Sequence, residues 1–292
     1  MCSSDLLGFV ARQAGVWLHE IVPSLSSETL CLLSIAVLAG FVYAGKNVSA
    51  FWQYVYSIVI FLGITITTVL CFTHFKGELF FKEQKEEALS LVMITPVLLF
   101  SFLGFESISS LYAIVKNPRK NVLLGGMIGV ACVGALYVAF SSAIIGAVES
   151  SCFGNLSLAS VLKKALPQYT FLPTLIYFGG LFAILGTLHS MIWSVSVLLL
   201  DVLQKGKTSW KKGVSTRRTT ILSACVIMLA SMTLRNEAIM HMTVLLIATS
   251  YVLSIVALFG EKSHRVWNRL VCIFGVLGGG LMVLFSIYSL LI

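Results

Sequence analysis

The sequence predicts an all-α protein that crosses a lipid bilayer several times, and three observations support this fold class. Of the 292 residues, 58% are hydrophobic and only 11% are charged. The mean hydropathy of +0.97 is higher than the surface of a soluble protein allows. The apolar residues also form runs of about 20, which is the length that a helix needs to cross ~30 Å of hydrocarbon.

The apolar runs after residue 27 predict about eight membrane-spanning helices, which we expect to form a single domain over residues 28–292. Their approximate limits in chain order are 30–44, 51–72, 88–115, 122–148, 171–203, 219–234, 239–259 and 266–292. An N-terminal stub, residues 1–27, precedes this bundle.

The apolar part of the stub, residues 6–22, is interrupted by Arg12, His19 and Glu20. A charged side chain at membrane depth costs on the order of a few kcal/mol unless neighbouring helices cover it. We therefore expect the second half of a helix here, not an independent span. The last apolar run continues to Ile292 without a polar or basic tail. From these two features we expect the chain to be truncated at its N-terminal end and also at its C-terminal end.

The net charge of +8 comes from basic residues that collect in alternate connections. Connections 116–120, 205–218 and 262–269 are rich in Lys and Arg, whereas the connections between them mix both signs. This alternation is the positive-inside pattern, so it predicts a multi-pass protein of the cytoplasmic (inner) membrane with these three connections in the cytoplasm. The basic charge therefore indicates topology and does not indicate a nucleic-acid partner.

The run 88–115 departs from a regular membrane helix. Glu106 is its only charged residue, and Pro96 and Gly104 both weaken the helical hydrogen-bond ladder. This composition predicts two half-helices that meet near Gly104. Broken helices of this kind are typical of secondary transporters, which hold their substrates at the break. The alternative is one long tilted helix with a kink at Gly104 and with Glu106 as its cap.

The predicted break suits an amino acid. Free NH groups of the second half-helix can receive a carboxylate, and free carbonyls of the first can receive an ammonium group. Glu106 is the candidate for proton coupling, because carboxyl groups within membrane spans are functional by default. Phe100 lies about one turn before Gly104 and is a candidate gate, although a phenylalanine in a span more often serves packing. The predicted substrate-binding residues at the break are Phe100, Ser101, Gly104, Phe105, Glu106 and Ser107.

A second polar stretch, residues 179–193, places His189, Thr187 and Ser190 among glycines and apolar residues. Two interpretations are about equally good. The stretch lines a cavity, or it serves close helix packing, with His189 bonded to a neighbouring helix.

No pattern in the sequence indicates an enzyme. There is no nucleophile elbow, no phosphate-binding loop and no pair of histidines with metal-ligand spacing. The seven cysteines are scattered and form no Cys-x-x-Cys pair. We therefore predict no catalytic activity, no cofactor and no metal site.

One run resembles the sixth span and following loop of the amino acid/polyamine/organocation permease superfamily, and within it the bacterial amino acid antiporters. The run is Phe100-Ser-Phe-Leu-Gly-Phe-Glu-Ser-Ile-Ser-Ser-Leu-Tyr-Ala-Ile-Val-Lys-Asn-Pro-Arg-Lys-Asn-Val122. Its Gly-Phe-Glu-Ser and Lys-Asn-Pro-Arg-Lys elements are specific together, and the resemblance covers most of the chain from Glu28 onward. It implies a LeuT-like inverted-repeat fold with the substrate held at unwound first and sixth spans.

By this resemblance, Gly104 and Glu106 match the glycine and glutamate of the unwound segment, and Phe100 stands where a gating tryptophan occurs. Thr243 and Tyr251 fall on a substrate-side position and a gate position of the tenth span. The stub matches the end of a third span, which implies that the first two spans and the final span are absent.

Together, these features predict an amino acid permease or antiporter. The expected partners are an amino acid or its decarboxylated amine, a proton and the lipid bilayer, and the sequence leaves a homodimer open. The alternative is a truncated remnant that does not transport and acts as a membrane interaction subunit.

Overall fold

The computed structural model describes residues 2–80, 115–149, 157–205 and 215–233, together with residues 108, 152, 249, 252, 253, 256, 276 and 280. Within these ranges the chain is helical with short connections, and no strand occurs among them. The chain divides into two compact units. The larger unit contains Val10–Gln84 and Gly104–Cys225, and the smaller unit contains Met1–Phe9, Lys85–Leu103 and Val226–Ile292.

The described helices follow one another with short connections wherever the intervening chain is also described. They are α1 Cys2–Ile21, α2 Ser27–Ala44, α3 Lys46–Thr73, α4 Gly77–Phe80, α5 Pro118–Ala147, α6 Leu158–Ala165, α7 Leu172–Lys205 and α8 Thr216–Thr233. Among them, α2, α3, α5 and α7 are long and apolar enough to cross a membrane. The predicted class of an all-α multi-pass membrane protein is therefore confirmed.

Four predicted spans coincide with these four helices to within a few residues, namely 30–44, 51–72, 122–148 and 171–203. The predicted span 219–234 corresponds to α8, which is helical but is not among the four apolar helices. The predicted spans 88–115, 239–259 and 266–292 lie outside the described residues, apart from isolated positions. The total of eight spans and the domain boundary at residue 27 stay predictions.

Local sequence explains several helix boundaries. Ser26 caps α2, because its Oγ accepts a hydrogen bond from the Thr29 N–H at 3.2 Å. Ser157 caps α6 in the same way through the Ser160 N–H. Pro118 occupies the first turn of α5, where its missing N–H costs no helical hydrogen bond.

A single residue, Gly45, joins α2 and α3. Its φ of 119° and ψ of 173° lie in a region that is essentially restricted to glycine. Phe41 before the link stacks on Trp52 after it, with ring centroids 4.9 Å apart. The two helices therefore fold back on each other as a helical hairpin, and Gly45 is the residue that permits it.

The larger unit is organised around α3 and α7, which pack against each other more extensively than any other described pair. At one end of this pair, an apolar core joins α3, α5, α6 and α7. Its fully buried members are Cys71, Ala143, Ile144, Val148, Val161, Leu162, Leu166 and Leu172. The N-terminal helix also belongs here, because Trp17 of α1 stacks on Tyr177 of α7 at 5.0 Å and the Tyr177 hydroxyl donates to the Trp17 carbonyl.

In the smaller unit, the first turns of α1 lie against the last turns of α8. A Cβ placed on Gly8 would stand 3.2 Å from the backbone nitrogen of Ser231 and 3.3 Å from the carbonyl carbon of Ala230. A glycine at this position therefore allows the two backbones to approach closely.

Helix ends that the charge pattern assigns to one side of the membrane lie together in the larger unit. Arg217, in a connection predicted to be cytoplasmic, lies over the Tyr43 ring at 5.1 Å from its centroid. At the opposite ends, the Nε2 atoms of His74 and Gln168 are 2.9 Å apart. The Lys76 N–H donates to the Gly146 carbonyl at 2.7 Å. The assignment of these ends to the two sides of the membrane stays a prediction.

We predict that Gly45→Ala destabilises the hairpin of α2 and α3. An alanine must adopt a backbone conformation that costs about 1–3 kcal/mol, or it must shift the link. Thermal unfolding of the purified protein in detergent measures the effect. Gly40→Ala is the matched control, since Gly40 lies within α2 and a Cβ there meets nothing within 4 Å. Equal melting temperatures for the two variants would contradict the role given to Gly45.

Candidate functional site

The site residues predicted from the sequence lie outside the described residues. This holds for Phe100, Ser101, Gly104, Phe105, Glu106 and Ser107 at the predicted break, and for Thr243 and Tyr251. Ile108, two residues after Glu106, is described, and its Cδ1 would stand 3.3 Å from a Cβ added to Gly126 of α5. The chain just after the predicted break therefore passes next to α5, while the break itself stays a prediction.

The described residues bring together a different polar site, centred on His189 of α7. The side chain of His189 has no solvent exposure. Its Nε2 lies 2.9 Å from the Oγ of Ser49, which is buried near the start of α3. This hydrogen bond joins the two helices that form the largest packing interface of the unit.

Aromatic rings enclose the imidazole. The ring of Phe41 on α2 lies 6.1 Å from it, and the ring of Tyr56 on α3 lies 5.9 Å from it at 88°. Trp52 fills the space between Phe41 and Tyr56, with centroid distances of 4.9 Å and 6.0 Å. We call Phe41, Ser49, Trp52, Tyr56 and His189 the histidine cluster. It places a polar ring inside an apolar, aromatic wall.

Helical spacing explains how α3 contributes to this cluster. Ser49, Trp52 and Tyr56 follow one another at intervals of three and four residues, which places them on one face of a helix. Gln53, next to Trp52, donates from Nε2 to the carbonyl of Gly186 on α7 at 3.2 Å. The same face of α3 thus supplies both polar contacts to α7.

The matching face of α7 carries Phe182, Gly186 and His189, again at intervals of four and three residues. Phe182 contacts Tyr56 edge to face at 5.9 Å. A Cβ on Gly186 would meet the Cβ of Tyr56 at 3.1 Å. The missing side chain of Gly186 allows α3 to approach, and this approach brings Ser49 within hydrogen-bond distance of His189.

The structure favours one of the two interpretations of residues 179–193. His189 is bonded to a neighbouring helix, as the packing interpretation predicts. Thr187 is exposed, and Ser190 donates to the Thr187 carbonyl of its own helix at 3.0 Å. Of the three polar residues that the sequence singled out in this stretch, only His189 enters the cluster.

The sequence reasoning missed Ser49, Trp52 and Tyr56. The available signal was their spacing at intervals of three and four residues along one helix, but spacing alone does not reveal which helix lies opposite. The described part of the chain contains no group of three or more His, Cys, Asp or Glu side chains that could hold an ion.

The two ring nitrogens of His189 differ in their hydrogen bonds. Within the described residues, His189 Nδ1 is buried and has no hydrogen-bond partner. A neutral imidazole has one nitrogen that donates and one that accepts, and a protonated imidazole donates from both. The Ser49 hydroxyl can serve Nε2 in either role, because a hydroxyl both donates and accepts. When Nε2 carries the proton of the neutral ring, Nδ1 is the nitrogen that can accept a further proton.

Comparison with known proteins identifies one family. Residues 13–290 match the family model described as the tryptophan/tyrosine permease family. No curated protein matches the chain significantly. The match includes the predicted break and every residue of the histidine cluster.

We predict that Ser49→Ala destabilises the protein. Removal of the hydroxyl leaves a second buried imidazole nitrogen without its partner, at a cost of about 1–3 kcal/mol. Denaturant or thermal unfolding in detergent measures this loss. Ser57→Ala is the control, since Ser57 is exposed on the same helix. If both variants unfold as the parent protein does, the Ser49 to His189 bond does not stabilise the interface.

Proposed function

The chain belongs to the tryptophan/tyrosine permease family, and on this premise we propose that it carries an aromatic amino acid across a membrane. The family match over residues 13–290 is the observation that supports this function most directly. The four apolar helices long enough to cross a bilayer are the structural requirement for a multi-pass permease.

We further propose that the substrate binds at the break near Gly104 and Glu106. The support is the sequence, in which the single charged residue of an apolar run follows a glycine by two positions. The NH groups of one half-helix would bind the carboxylate of the substrate, and the carbonyls of the other would bind its ammonium group. Phe100 and Phe105 would contact the aromatic side chain, as stacked or edge-to-face rings do.

The finer assignments belong to the same proposal. The resemblance to amino acid antiporters supports a LeuT-like inverted repeat, exchange of substrates and a proton at Glu106. It also supports Thr243 as a substrate contact and Phe100 and Tyr251 as gates. The basic connections support an inner-membrane location with those connections in the cytoplasm. The competing role is a membrane interaction subunit that does not transport.

Substrate counterflow in proteoliposomes tests the function. The purified chain is reconstituted with internal unlabelled tryptophan, and uptake of external labelled tryptophan, tyrosine and phenylalanine is compared with uptake of leucine, arginine and agmatine. We expect counterflow of the aromatic amino acids and little of the others. Uptake of labelled arginine by a parallel preparation loaded with unlabelled agmatine, with no uptake by the preparation loaded with tryptophan, would contradict the aromatic substrate. A folded preparation without any counterflow would favour the interaction subunit.

A substitution at the proposed break tests the proton role of Glu106. We predict that Glu106→Gln makes counterflow independent of external pH, because the amide cannot exchange a proton. The initial rate of counterflow is measured across a series of external pH values. Glu149→Gln serves as the control, because Glu149 is exposed outside the apolar helices and its loss should leave the pH profile unchanged. An unaltered profile in the Glu106 variant would exclude the proton role.

A further inference from the structure

We propose that His189 is a second proton-binding site, which takes up a proton at Nδ1 in one state of the protein and releases it in the packed state described above. Binding of the proton is a property of the histidine cluster alone. Its part in transport rests on the proposed function. The step forms an N–H bond from a proton of the aqueous phase and returns that proton to water, so no other reactant is needed.

The first argument is the placement of the imidazole. His189 lies near the middle of α7, with 17 helical residues before it and 16 after it. Its partner Ser49 lies one turn after Lys46, the first residue of α3, so the imidazole is level with the start of α3 and not with the middle of that span. Because His189 has no solvent exposure there, its charged form is costly unless an anion pairs with it. Packing alone would be served by an apolar side chain of similar volume.

The second argument is the unequal environment of the two ring nitrogens. Nε2 is held by Ser49 at 2.9 Å, whereas Nδ1 is buried without a partner among the described residues. Ser49 can accept from Nε2 once the ring is protonated. In the tautomer that carries the neutral ring's proton on Nε2, the Ser49 hydroxyl accepts from Nε2 before and after protonation, so the bond survives the change of charge and the new proton binds at Nδ1.

The third argument is the charge around the ring. From α3, Tyr56 is the titratable side chain that contacts His189, and Lys46 lies one turn before Ser49. From α2 the contact is Phe41, which does not titrate. On α7 itself, Tyr177 and Asp201 are each 12 residues away, about 18 Å along the helix. No carboxylate among the described residues contacts the imidazole.

These surroundings make the charge of His189 depend on the conformation of the protein. Tyr56 and Phe41 make edge-type ring contacts with His189 and supply no anion, and without an anionic partner a buried imidazolium is unfavourable. The packed state therefore holds a neutral ring. Separation of α3 from α7 admits water, or the carboxylate of a substrate, to Nδ1 and makes protonation favourable. Proton uptake and release are in this way coupled to the packing of one helix pair.

The transport test uses His189→Gln, which keeps a polar side chain next to Ser49 but cannot carry a proton. Proteoliposomes are given an inward proton gradient of about one pH unit, which supports about tenfold accumulation for each coupled proton. We expect the parent protein to accumulate tryptophan. The variant should retain tryptophan counterflow and its dependence on pH, which belongs to Glu106, and its accumulation should fall about tenfold, which is the share of one coupled proton. His74→Gln is the control, since His74 lies at the end of α3, and it should accumulate as the parent does.

A spectroscopic test does not depend on transport. With ¹⁵N-labelled histidine, the reconstituted protein gives signals from five imidazoles, and His189 is the signal missing in the Gln variant. We expect its two nitrogens to change from a neutral pair to a doubly protonated pair as pH falls, and tryptophan to shift the midpoint. If His189→Gln fails to fold, Ser49→Ala supplies the assignment, because only the His189 signal should move substantially.

The outcomes separate the two proposals. Accumulation by His189→Gln equal to that of the parent, or an imidazole that stays neutral from pH 4 to pH 8 with and without tryptophan, overturns the second proton site. Absence of counterflow in the parent protein overturns the transport function, and the nitrogen spectra still decide whether His189 binds a proton.

Discussion

The close approach of α3 to α7 is the constraint on which the described part of the larger unit depends. A glycine at position 186 lets the backbone of α7 meet Tyr56, and this contact brings His189 to Ser49. The apolar core at one end of the same pair then gathers α5 and α6 around Cys71 and Leu172. In lipid there is little hydrophobic gain from bringing helices together, so close packing and interhelical hydrogen bonds must hold such a pair.

Much of this architecture is predictable from the sequence, because the bilayer imposes a length and a polarity on every crossing. The limits of α2, α3, α5 and α7 follow from runs of apolar residues, and the positions of Lys and Arg predict which helix ends face the cytoplasm. The sequence does not predict which helices pack against each other. All four helices are apolar around most of their circumference, so periodicity gives no preferred face, and Ser49 could not be matched to His189.

The two kinds of candidate site illustrate the same limit. Glu106 stands out in the sequence because it is the only charged residue of an apolar run, although a role as a helix cap also accounts for it. For His189, the sequence favours neither interpretation, because one histidine near glycines is compatible with helix packing and with a cavity-lining role. Only the fold shows that one of its nitrogens is held by Ser49 and the other is not. A sequence reveals an unusual side chain such as a lone carboxyl group in an apolar run, but it does not reveal a contact between side chains of two different helices.

In the proposal, a histidine buried between α3 and α7 makes the packing of these two helices depend on the charge of its ring. Leucine would fill a similar volume without the cost of burying a polar atom. What imidazole adds is a second protonation state, which the aromatic wall of Phe41, Trp52 and Tyr56 tolerates poorly when dry and better when water or an anion reaches it. In the proposal made above, proton occupancy favours one packing of α3 against α7 over another, as any ligand does when it binds one of two states more tightly.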